Sequence, residues 1–493
     1  MARALSELLS WLDEAGVSYA LQGSADTSIE TLTFDSRKAA PGALFAALPG
    51  TQVDGHDFID KALAAGASAV LCQRVPAEGS DASMVIVEDS ARALAKIAAR
   101  FFGPLPHALQ AVTGTNGKTS VAHFVRLLNG DDRAVSVGTL GMMPEGLFDM
   151  PYLTSPDQIA VGQGLAAAAA SGRALAIVES SSHGLDQGRL DGLDFDAAAF
   201  TNLSRDHLDY HPDMDAYWAA KRLLFTHRLK AGGPVVIDER TEQAAELAGL
   251  GLNLFRLGGL SSPTADLAYD AKPRPSGLDF TFRLEGQEHS LSLPLFGTFQ
   301  AENMAVALGL AHVSGLTDLA NRLSAIDAEA LGVPGRMMPV ASHPEAPFGR
   351  VLVDYAHTPD ALATVLQAAK PHCEGRLMVI FGAGGDRDPG KRPLMGQAAA
   401  DHADFSIVTD DNPRTEAPAP IRQAIMAAVP GATEIADRRE AIFAGLKAMQ
   451  PQDLLIIAGK GHEEGQIVGK EVLPFNDADV AKEAAAALWG QTS

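Results

Sequence analysis

Leu5, Leu8, Leu9 and Leu12 recur at helical spacing before Asp13 and Glu14, so residues 1–16 predict an amphipathic helix and lack the apolar core of a signal peptide. Short apolar runs follow: TLTFDS at 31–36, ALFAAL at 43–48, SAVLC at 68–72 and SMVIVED at 83–89, separated by turns and Ala-rich helical pieces. Pro104 and Pro106 beside Gly103 mark a linker, because proline ends helices and stiffens connections. Beyond it, LQAVTG, ALAIVES, DAAAFTN and PVVIDE, starting at Leu109, Ala174, Asp196 and Pro234, each lead into a helical stretch. Strand and helix alternating over this length predict a parallel sheet with helices on both faces. Residues 277–297 read as a hairpin, ahead of a helix around Asn303 to Leu310. A third series opens after VPGRM at 333–337: RVLVDYAHTPDAL, RLMVIFGAGGDRD, FSIVTDDNPR and DLLIIAGKGHE. Each is an apolar run with a polar or glycine-rich tail. Ligands bind beyond the carboxyl ends of parallel strands, so the four tails are expected to line one crevice.

At 493 residues the chain exceeds a single core, and three domains are the starting expectation. With 39 Lys and Arg against 61 Asp and Glu the formal charge is −22, a field that repels phosphate backbones and argues against nucleic-acid binding. The two cysteines, Cys72 and Cys373, form neither a CxxC nor a metal-ligand spacing, which fits a reducing cytoplasm. The most apolar stretch, residues 164–178, is interrupted by Ser171, Gly172 and Arg173, so no membrane segment is expected.

Residues 113–120, TGTNGKTS, lie between the apolar Ala111–Val112 and a helical VAHFVRLL. A glycine-rich turn opening a helix offers backbone N–H groups and the positive end of the helix dipole. Lys118 adds charge for phosphate and Thr119 a hydroxyl for Mg²⁺, which makes this a nucleotide site. The usual phosphate-loop pattern would place glycine at position 112, where this chain has valine. A chance Gly-Lys-Thr turn is the alternative reading.

That departure, GTNGKT after a strand, resembles the Mur ligase and folylpolyglutamate synthetase superfamily. Further stretches resemble Mur ligase signatures in order: ESSSHGLDQGRL at 179–190, TNLSRDHLDYH at 201–211, YWAAKRLLF with Lys221, then GTFQAENMAVAL, PGRM, VDYAHTPDAL, FGAGGDRD, DDNPR and AGKGHE. The resemblance implies three α/β domains: an N-terminal uridine-nucleotide-binding domain at 1–103, a central P-loop-type parallel-sheet ATPase domain at 104–334, and a C-terminal Rossmann-like amino-acid-binding domain at 335–493. It implies an ADP-forming ligase that uses ATP and Mg²⁺ to join meso-diaminopimelate to UDP-N-acetylmuramoyl-L-alanyl-D-glutamate through an acyl phosphate. It further implies a cytoplasmic monomer engaged in peptidoglycan precursor synthesis.

The residue roles that follow are those of the resemblance. Lys118, Glu179, His207 and Lys221 form the catalytic set, with Thr119, Glu179, His207 and Lys221 as metal ligands, the lysine as a carbamate. Burial lowers a lysine pKa and favours the neutral amine that captures CO₂. Thr113, Gly114, Thr115, Asn116, Gly117, Lys118 and Thr119 bind nucleotide, together with Asn303, Arg336, Asp354 and His357. Phe34, Ser36, Thr51, Gln52 and Val53 match uridine contacts; Thr154, Ser155, Ser181, Gln187 and Arg189 match positions for the sugar, diphosphate and peptide. TSPD and ESSS differ here from the TTPD and EVSS forms common in the family, which bears on Ser155 and Ser180. Arg387, the Asp411-Asn412-Pro413-Arg414 loop, Gly459 and Glu463 match the diaminopimelate contacts.

Taken singly, these residues have plainer readings. Asp35-Ser36-Arg37 could be an Asx-type turn, Arg189 a surface ion pair, His207 a satisfied polar side chain and Lys221 a solvated one. Lysine-adding relatives usually lack the arginine of Asp-Asn-Pro-Arg, the folate enzymes lack a uridine-nucleotide domain, and a silent nucleotide-binding scaffold need not keep Lys118, Glu179, His207 and Lys221 together.

Overall fold

The computed structural model describes residues 2–50, 53–75, 82–345 and 350–490, which divide into two compact units. The first unit comprises residues up to Leu257 together with Val306–Thr317. Its leading helix, α1 (Leu5–Glu14), buries the four predicted leucines. Strands β1 (Tyr19–Gln22), β2 (Thr31–Thr33), β3 (Ala43–Ala46), β4 (Ala69–Cys72) and β5 (Ser83–Val87) form one sheet in the order β1-β5-β4-β3-β2, parallel except for β1. Helix α2 (Ile59–Ala64) sits in the β3–β4 connection. Helix α3 (Ser90–Phe101) is capped by the Asp89 carboxylate, which accepts from the N–H groups of Ala91 and Arg92, both at 3.0 Å.

After Pro104 and Pro106 the chain builds the central sheet. Its strands are β6 (Ala108–Thr113), β7 (Ala134–Gly138), β8 (Gly141–Met143), β9 (Leu175–Glu179), β10 (Ala197–Phe200), β11 (Pro234–Asp238) and β12 (Asn253–Gly259). They lie in the order β8-β7-β9-β6-β10-β11-β12, with only β8 antiparallel to its neighbour in the pairings β8–β7, β7–β9, β9–β6, β6–β10, β10–β11 and β11–β12. The helices are α4 (Lys118–Asn129), α5 (Gln158–Ala170), α6 (Ser182–Asp186), α7 (Met214–Leu223) and α8 (Glu242–Gly249). Register decides what meets at the strand ends: Glu179 lies opposite Val112 and Phe200 opposite Thr113, so the tails of β9 and β10 flank the loop after β6.

The second unit holds Gly258–Ala305 and Asp318–Ser493. Its first sheet region is an antiparallel meander of β13 (Leu267–Arg274), β14 (Gly277–Leu284) and β15 (Gln287–Leu293), of which the sequence pattern indicated only the second and third strands. The helix expected around Asn303 is α9 (Thr298–Val313), followed by α10 (Leu319–Ala325). A second sheet contains β16 (Met338–Ser342), β17 (Arg350–Asp354), β18 (Leu377–Phe381), β19 (Phe405–Val408), β20 (Thr433–Glu434) and β21 (Leu454–Ala458), in the order β16-β17-β21-β18-β19-β20. All but β16 run parallel, so the four polar tails emerge at one edge as the alternation of apolar runs predicts.

Both faces of this sheet are covered, which is why its strands read as unbroken apolar runs. Leu377, Val379 and Phe381 pack with residues of α11 (Pro359–Ala369), α12 (Lys391–His402) and α13 (Pro418–Met426). Met378 and Ile380 pack on the other side with α14 (Arg438–Ala448) and α15 (Asp477–Trp489). A small hairpin of β22 (Gly465–Val468) and β23 (Glu471–Pro474) precedes α15.

Two glycines let α3 approach the central layer. A Cβ on Gly162 in α5 would run into the Ala98 carbonyl oxygen, and one on Gly192 into that of Ala95. Gly162→Ala should therefore cost roughly 1–3 kcal/mol through forced displacement of backbone, and thermal denaturation should show a lower midpoint for it than for Gly249→Ala, where a Cβ meets nothing.

Candidate active site

The loop from β6 into α4 requires its glycines. Gly114 has φ +147° and a Cβ there would press on the Thr201 hydroxyl, while Gly117, at φ +90°, opens α4. The tail of β10 pins the loop: Thr115 N donates to Asn202 O at 2.8 Å, Asn116 N to Asn202 Oδ1 at 3.0 Å, and the Thr201 hydroxyl to Asn116 O at 2.6 Å. Because α4 begins at Lys118, its first-turn N–H groups and positive dipole end lie at the loop, an arrangement suited to phosphate.

Lys118 Nζ donates to Gly114 O at 2.9 Å and Thr115 O at 2.8 Å. Lys221, arriving on α7, donates to the same Gly114 oxygen at 2.8 Å. Lys221 is 1% exposed. Burial, followed by the Lys118 charge, holds its pKa well below the usual lysine value, against the opposing pull of Asp206. Tyr217, one turn earlier, lies with its ring centroid 4.3 Å from Lys221 Nζ and donates its hydroxyl to Thr115 Oγ1 at 3.2 Å. The solvated-lysine reading is thereby excluded.

Glu179 ends β9 buried beside α4. Its Oε2 accepts from the Thr119 hydroxyl at 3.0 Å and from the Thr139 hydroxyl at 3.2 Å, and Oε1 accepts from Thr139 N at 2.9 Å. His207 adopts φ +54° in the loop after β10, 4.9 Å ring to ring from His183 and 5.9 Å from Tyr217. Burial lowers its pKa, with Lys118 and Lys221 adding to the effect and Asp206 opposing it, so the neutral imidazole is favoured.

Around the strand ends, Thr154 Oγ1 lies 3.1 Å from Thr139 Oγ1. Arg189 donates to Gln187 Oε1 at 2.7 and 3.1 Å and to Ser155 O at 2.8 Å, partners that carry no charge, so it is not the surface ion pair of the plainer reading. Ser181 caps α6, its hydroxyl accepting from Gly184 N at 3.0 Å. The Ser155 hydroxyl is engaged within the chain. It donates to Glu179 O at 3.0 Å and accepts from Ser181 N and Oγ at 2.9 and 3.0 Å. One donor and two acceptor sites are thus spent at a residue 2% exposed, which makes it an internal brace.

In the N-terminal sheet, Asp35 accepts from Arg37 N at 3.0 Å and pairs with the Arg37 guanidinium, so the Asx-type turn is present. Those bonds lower the Asp35 pKa to about 2. Ser36 is buried, while Phe34 and Val53 expose apolar side chains to solvent; Thr51 and Gln52 lie outside the described residues.

In the second unit, Arg387, Arg414 and Asn412 surround Gly384: its ideal Cβ position is 2.8 Å from Arg414 Nη1, 3.6 Å from Asn412 O and 3.9 Å from Arg387 Cγ. Asn412 Nδ2 donates to Glu463 Oε2 at 3.0 Å. Lys460, fully buried, donates to Asn412 Oδ1 and Glu463 Oε2, both at 3.0 Å. Pro413 follows Asn412 under Gly385, and a Cβ on Gly459 would lie 2.5 Å from Asp411 Oδ2. Beneath these loops the Arg438–Asp477 ion pair, 0% exposed on both sides, donates from Arg438 Nη2 to Ala458 O at 3.0 Å.

A second cluster gathers at the carboxyl end of β17. Asn303 Nδ2 donates to Gln300 Oε1 at 3.0 Å and Gln300 Nε2 to Arg336 O at 3.2 Å. The Arg336 guanidinium lies 4.9 Å from the Tyr355 ring centroid, and the His357 ring centroid is 4.6 Å from it. Asp354 accepts from Met337 N and Ala356 N; burial raises its pKa, partly offset by Arg336. His462, 5.1 Å from Tyr355, is pushed down to about 4 by burial and the Arg336 charge.

Comparison with known proteins gives this geometry its context. The Mur ligase middle domain model matches residues 112–311, the Mur ligase glutamate ligase domain model 335–461, and the Mur ligase family catalytic domain model 28–102. A UDP-N-acetylmuramoyl-L-alanyl-D-glutamate--2,6-diaminopimelate ligase from Caulobacter vibrioides is 47% identical over 464 residues, covering 92% of this chain and 94% of its own. The chain belongs to the Mur ligase family. A solved structure of a UDP-N-acetylmuramoyl-L-alanyl-D-glutamate--2,6-diaminopimelate ligase aligns over 100% of both chains with a TM-score of 0.70 and 32% identity. The MurF ligase of Thermotoga maritima, solved with ADP, covers 93% of this chain and 97% of its own at 18% identity and a TM-score of 0.61, a likeness of fold. The fold is thus the three-domain α/β architecture of the Mur ligases.

Against that family frame, the motif reading missed Thr139, Tyr217, Lys460 and His462 as parts of these clusters. Lys460 and His462 stand inside the quoted AGKGHE, and Tyr217 inside YWAAKRLLF, so position within a motif was the available signal. Among the described residues no three His, Cys, Asp or Glu side chains gather as a metal cage. The donors at hand, the Glu179 carboxylate and Thr119 hydroxyl, are nevertheless the hard oxygen ligands suited to Mg²⁺, which takes few protein ligands and completes its shell with phosphate and water.

The buried amine has a stability consequence. Unfolded, Lys221 takes up its proton near pH 10.5; folded, it resists protonation to well below that. Between the two values the unfolded chain binds the extra proton, so this contribution to stability falls as pH falls. In CO₂-free buffer, Lys221→Met should gain on wild type by about 1.4 kcal/mol per pH unit descending through that window, measurable by denaturant titration at several pH values.

Proposed function

We propose that the protein joins meso-diaminopimelate to UDP-N-acetylmuramoyl-L-alanyl-D-glutamate, converting ATP to ADP and phosphate, during peptidoglycan precursor synthesis in the cytoplasm. It acts as a monomer that neither inserts into membrane nor binds nucleic acid; no helix among the described residues is long and apolar enough to cross a membrane. The observation that carries the amino-acid choice is the set of tails on three adjacent parallel strands, bringing Arg387 and Arg414 around Gly384 with Glu463 held through Asn412 and Lys460. Diaminopimelate carries two ammonium and two carboxylate groups, and this mixture of guanidinium and carboxylate complements it. We assign the three domains to residues 1–103, 104–334 and 335–493.

The chemistry has two bond exchanges. An acceptor carboxylate oxygen bonds to the γ-phosphorus as the bond to ADP breaks; the amino nitrogen, having lost a proton, then bonds to the carbonyl carbon as phosphate leaves. Lys118 sits at the phosphate loop, where exchanging its carbonyl partners for phosphate oxygens places a cation against developing negative charge. Thr119, Glu179, His207 and Lys221 as its carbamate would hold Mg²⁺, which supplies further charge neutralisation when bound. Lys221 suits carbamate formation: a neutral amine bonds to the carbon of CO₂ and releases a proton, turning a buried base into an anionic oxygen donor. Asn303, Arg336, Asp354 and His357 serve the nucleotide, and Phe34, Ser36, Thr51, Gln52 and Val53 the uridine. Thr154, Ser155, Ser181, Gln187 and Arg189 serve the rest of the acceptor. Arg387, Asp411, Asn412, Pro413, Arg414, Gly459 and Glu463 serve the amino acid.

Incubation with ATP, the acceptor nucleotide and either diaminopimelate or lysine tests this reading. ADP should form in step with a product of acceptor plus diaminopimelate less water; absence of ADP would leave a nucleotide-binding scaffold instead. Arg414→Ala should lower kcat/KM for diaminopimelate by roughly 10- to 150-fold, the range of one charge-assisted hydrogen bond, and leave the poor use of lysine nearly unchanged. Equal losses for both amino acids would place Arg414 in support of the loop, through its guanidinium bond to Gly385 O at 2.9 Å.

A further inference from the structure

Thr139 follows β7 directly and stands between two parts of the site that the sequence treats separately. Its N–H donates to Glu179 Oε1 at 2.9 Å and its hydroxyl to Glu179 Oε2 at 3.2 Å, so both carboxylate oxygens are gripped by one residue. The preceding Gly138 is part of the same cradle, because a Cβ there would overlap the Glu179 carboxylate. The Thr139 oxygen also lies 3.1 Å from Thr154 Oγ1. A hydroxyl has one proton. With that of Thr139 directed to the carboxylate, the Thr154 hydroxyl must donate to Thr139, and its own lone pairs are left for a donor on the acceptor side. Thr119, in the first turn of α4, donates to the same Glu179 Oε2 at 3.0 Å. The order Thr154 to Thr139 to Glu179, with Thr119 on the same oxygen, is therefore a continuous line of hydrogen bonds from the acceptor-side loop to the start of the phosphate-binding helix.

We infer that Thr139 is a positioning residue that fixes the Glu179 carboxylate for the nucleotide–metal side and orients the Thr154 hydroxyl for the acceptor nucleotide, so that the two sites are set by one side chain. This deepens the reading given above and rests on it for the identity of the ligands. Two consequences follow from the bonds alone. Removing the hydroxyl while keeping the backbone N–H takes one of the two hydroxyl donors from Glu179 Oε2, which Thr119 then holds without Thr139, and loosens the carboxylate on that side. The same change reverses nothing at the amino-acid pocket, whose residues come from the other unit.

The test uses Thr139→Val, which keeps shape and deletes the hydroxyl, and Thr139→Ser, which keeps the hydroxyl. Calorimetric binding of ADP with and without Mg²⁺ reads the first arm without turnover. For Thr139→Val we expect the Mg²⁺-dependent gain in ADP affinity to shrink by roughly tenfold, the scale of one hydrogen bond to a charged group, with Mg²⁺-free affinity unchanged. In steady state the acceptor KM should rise by a similar factor while the diaminopimelate KM stays within about twofold. Thr139→Ser should restore both, and thermal unfolding of both variants checks that the fold is retained. Equal effects on all three substrates, or Thr139→Ser as impaired as Thr139→Val, would mean a general structural role. An unchanged Mg²⁺ gain would also overturn the inference. A wild-type protein that binds ADP with the Mg²⁺ gain yet forms no product from these substrates would refute the ligase reading instead.

Discussion

Two amines meet at one carbonyl oxygen. Lys118 and Lys221 both donate to Gly114 O, at 2.9 and 2.8 Å, and Lys221 is sealed from solvent. Two full charges held so close in a buried place cost a great deal, so burial and the Lys118 charge both pull the Lys221 pKa down, toward the neutral amine. Much of the surrounding design follows from keeping them there. Gly114 must be glycine to let its carbonyl turn toward both lysines under Thr201, and the Asn202 and Thr201 bonds hold the loop in that turn. Tyr217 covers Lys221 and donates its hydroxyl to Thr115, which ties α7 to the loop. In the proposed reading, this caged amine captures CO₂ and, as a carbamate, would find Lys118 as its counter-charge.

The proposed amino-acid side faces the reverse problem, holding unlike charges apart. Glu463 is shared between Lys460 and Asn412, while Arg414 gives Nη1 to the Gly385 carbonyl at 2.9 Å. Its hydrogen-bond partner there is neutral, and the acid that feels its charge is Asp386 in the neighbouring loop. The fully buried Arg438–Asp477 pair lies beneath the tails of β19 and β21, and Arg438 reaches the carbonyl oxygen at the end of β21. Breaking such a pair by removing one partner leaves a buried charge, which makes these two side chains a rigid floor for the loops.

How much of this was legible in the sequence depended on the kind of signal. Unbroken apolar runs with polar tails fixed the parallel sheets, because strands covered on both faces show no alternation. Strand β7, AVSVG, passed unnoticed: it is five residues long and carries a serine, and with it went Gly138 and Thr139. Strand β13 and the β22–β23 hairpin were likewise hidden, since their exposed or charged positions dilute the apolar pattern. Motif residues announced Lys118 and Lys221 but not that they share a carbonyl, which depends on how α7 meets the loop after β6. The place of Ser155 in TSPD gives no sign that its hydroxyl braces Glu179 and Ser181. Positive φ at His207, Asp386 and Arg414, all non-glycine and all in these loops, has no sequence signature at all.

The central claim is that Lys221 is a neutral amine placed to become a carbamate. Carbon-13 NMR of the protein equilibrated with ¹³C-bicarbonate measures this directly. The account predicts one carbamate resonance in the wild-type protein, absent from a folded Lys221→Arg variant. An active wild-type enzyme showing no such resonance, or one that persists in the variant, would contradict it.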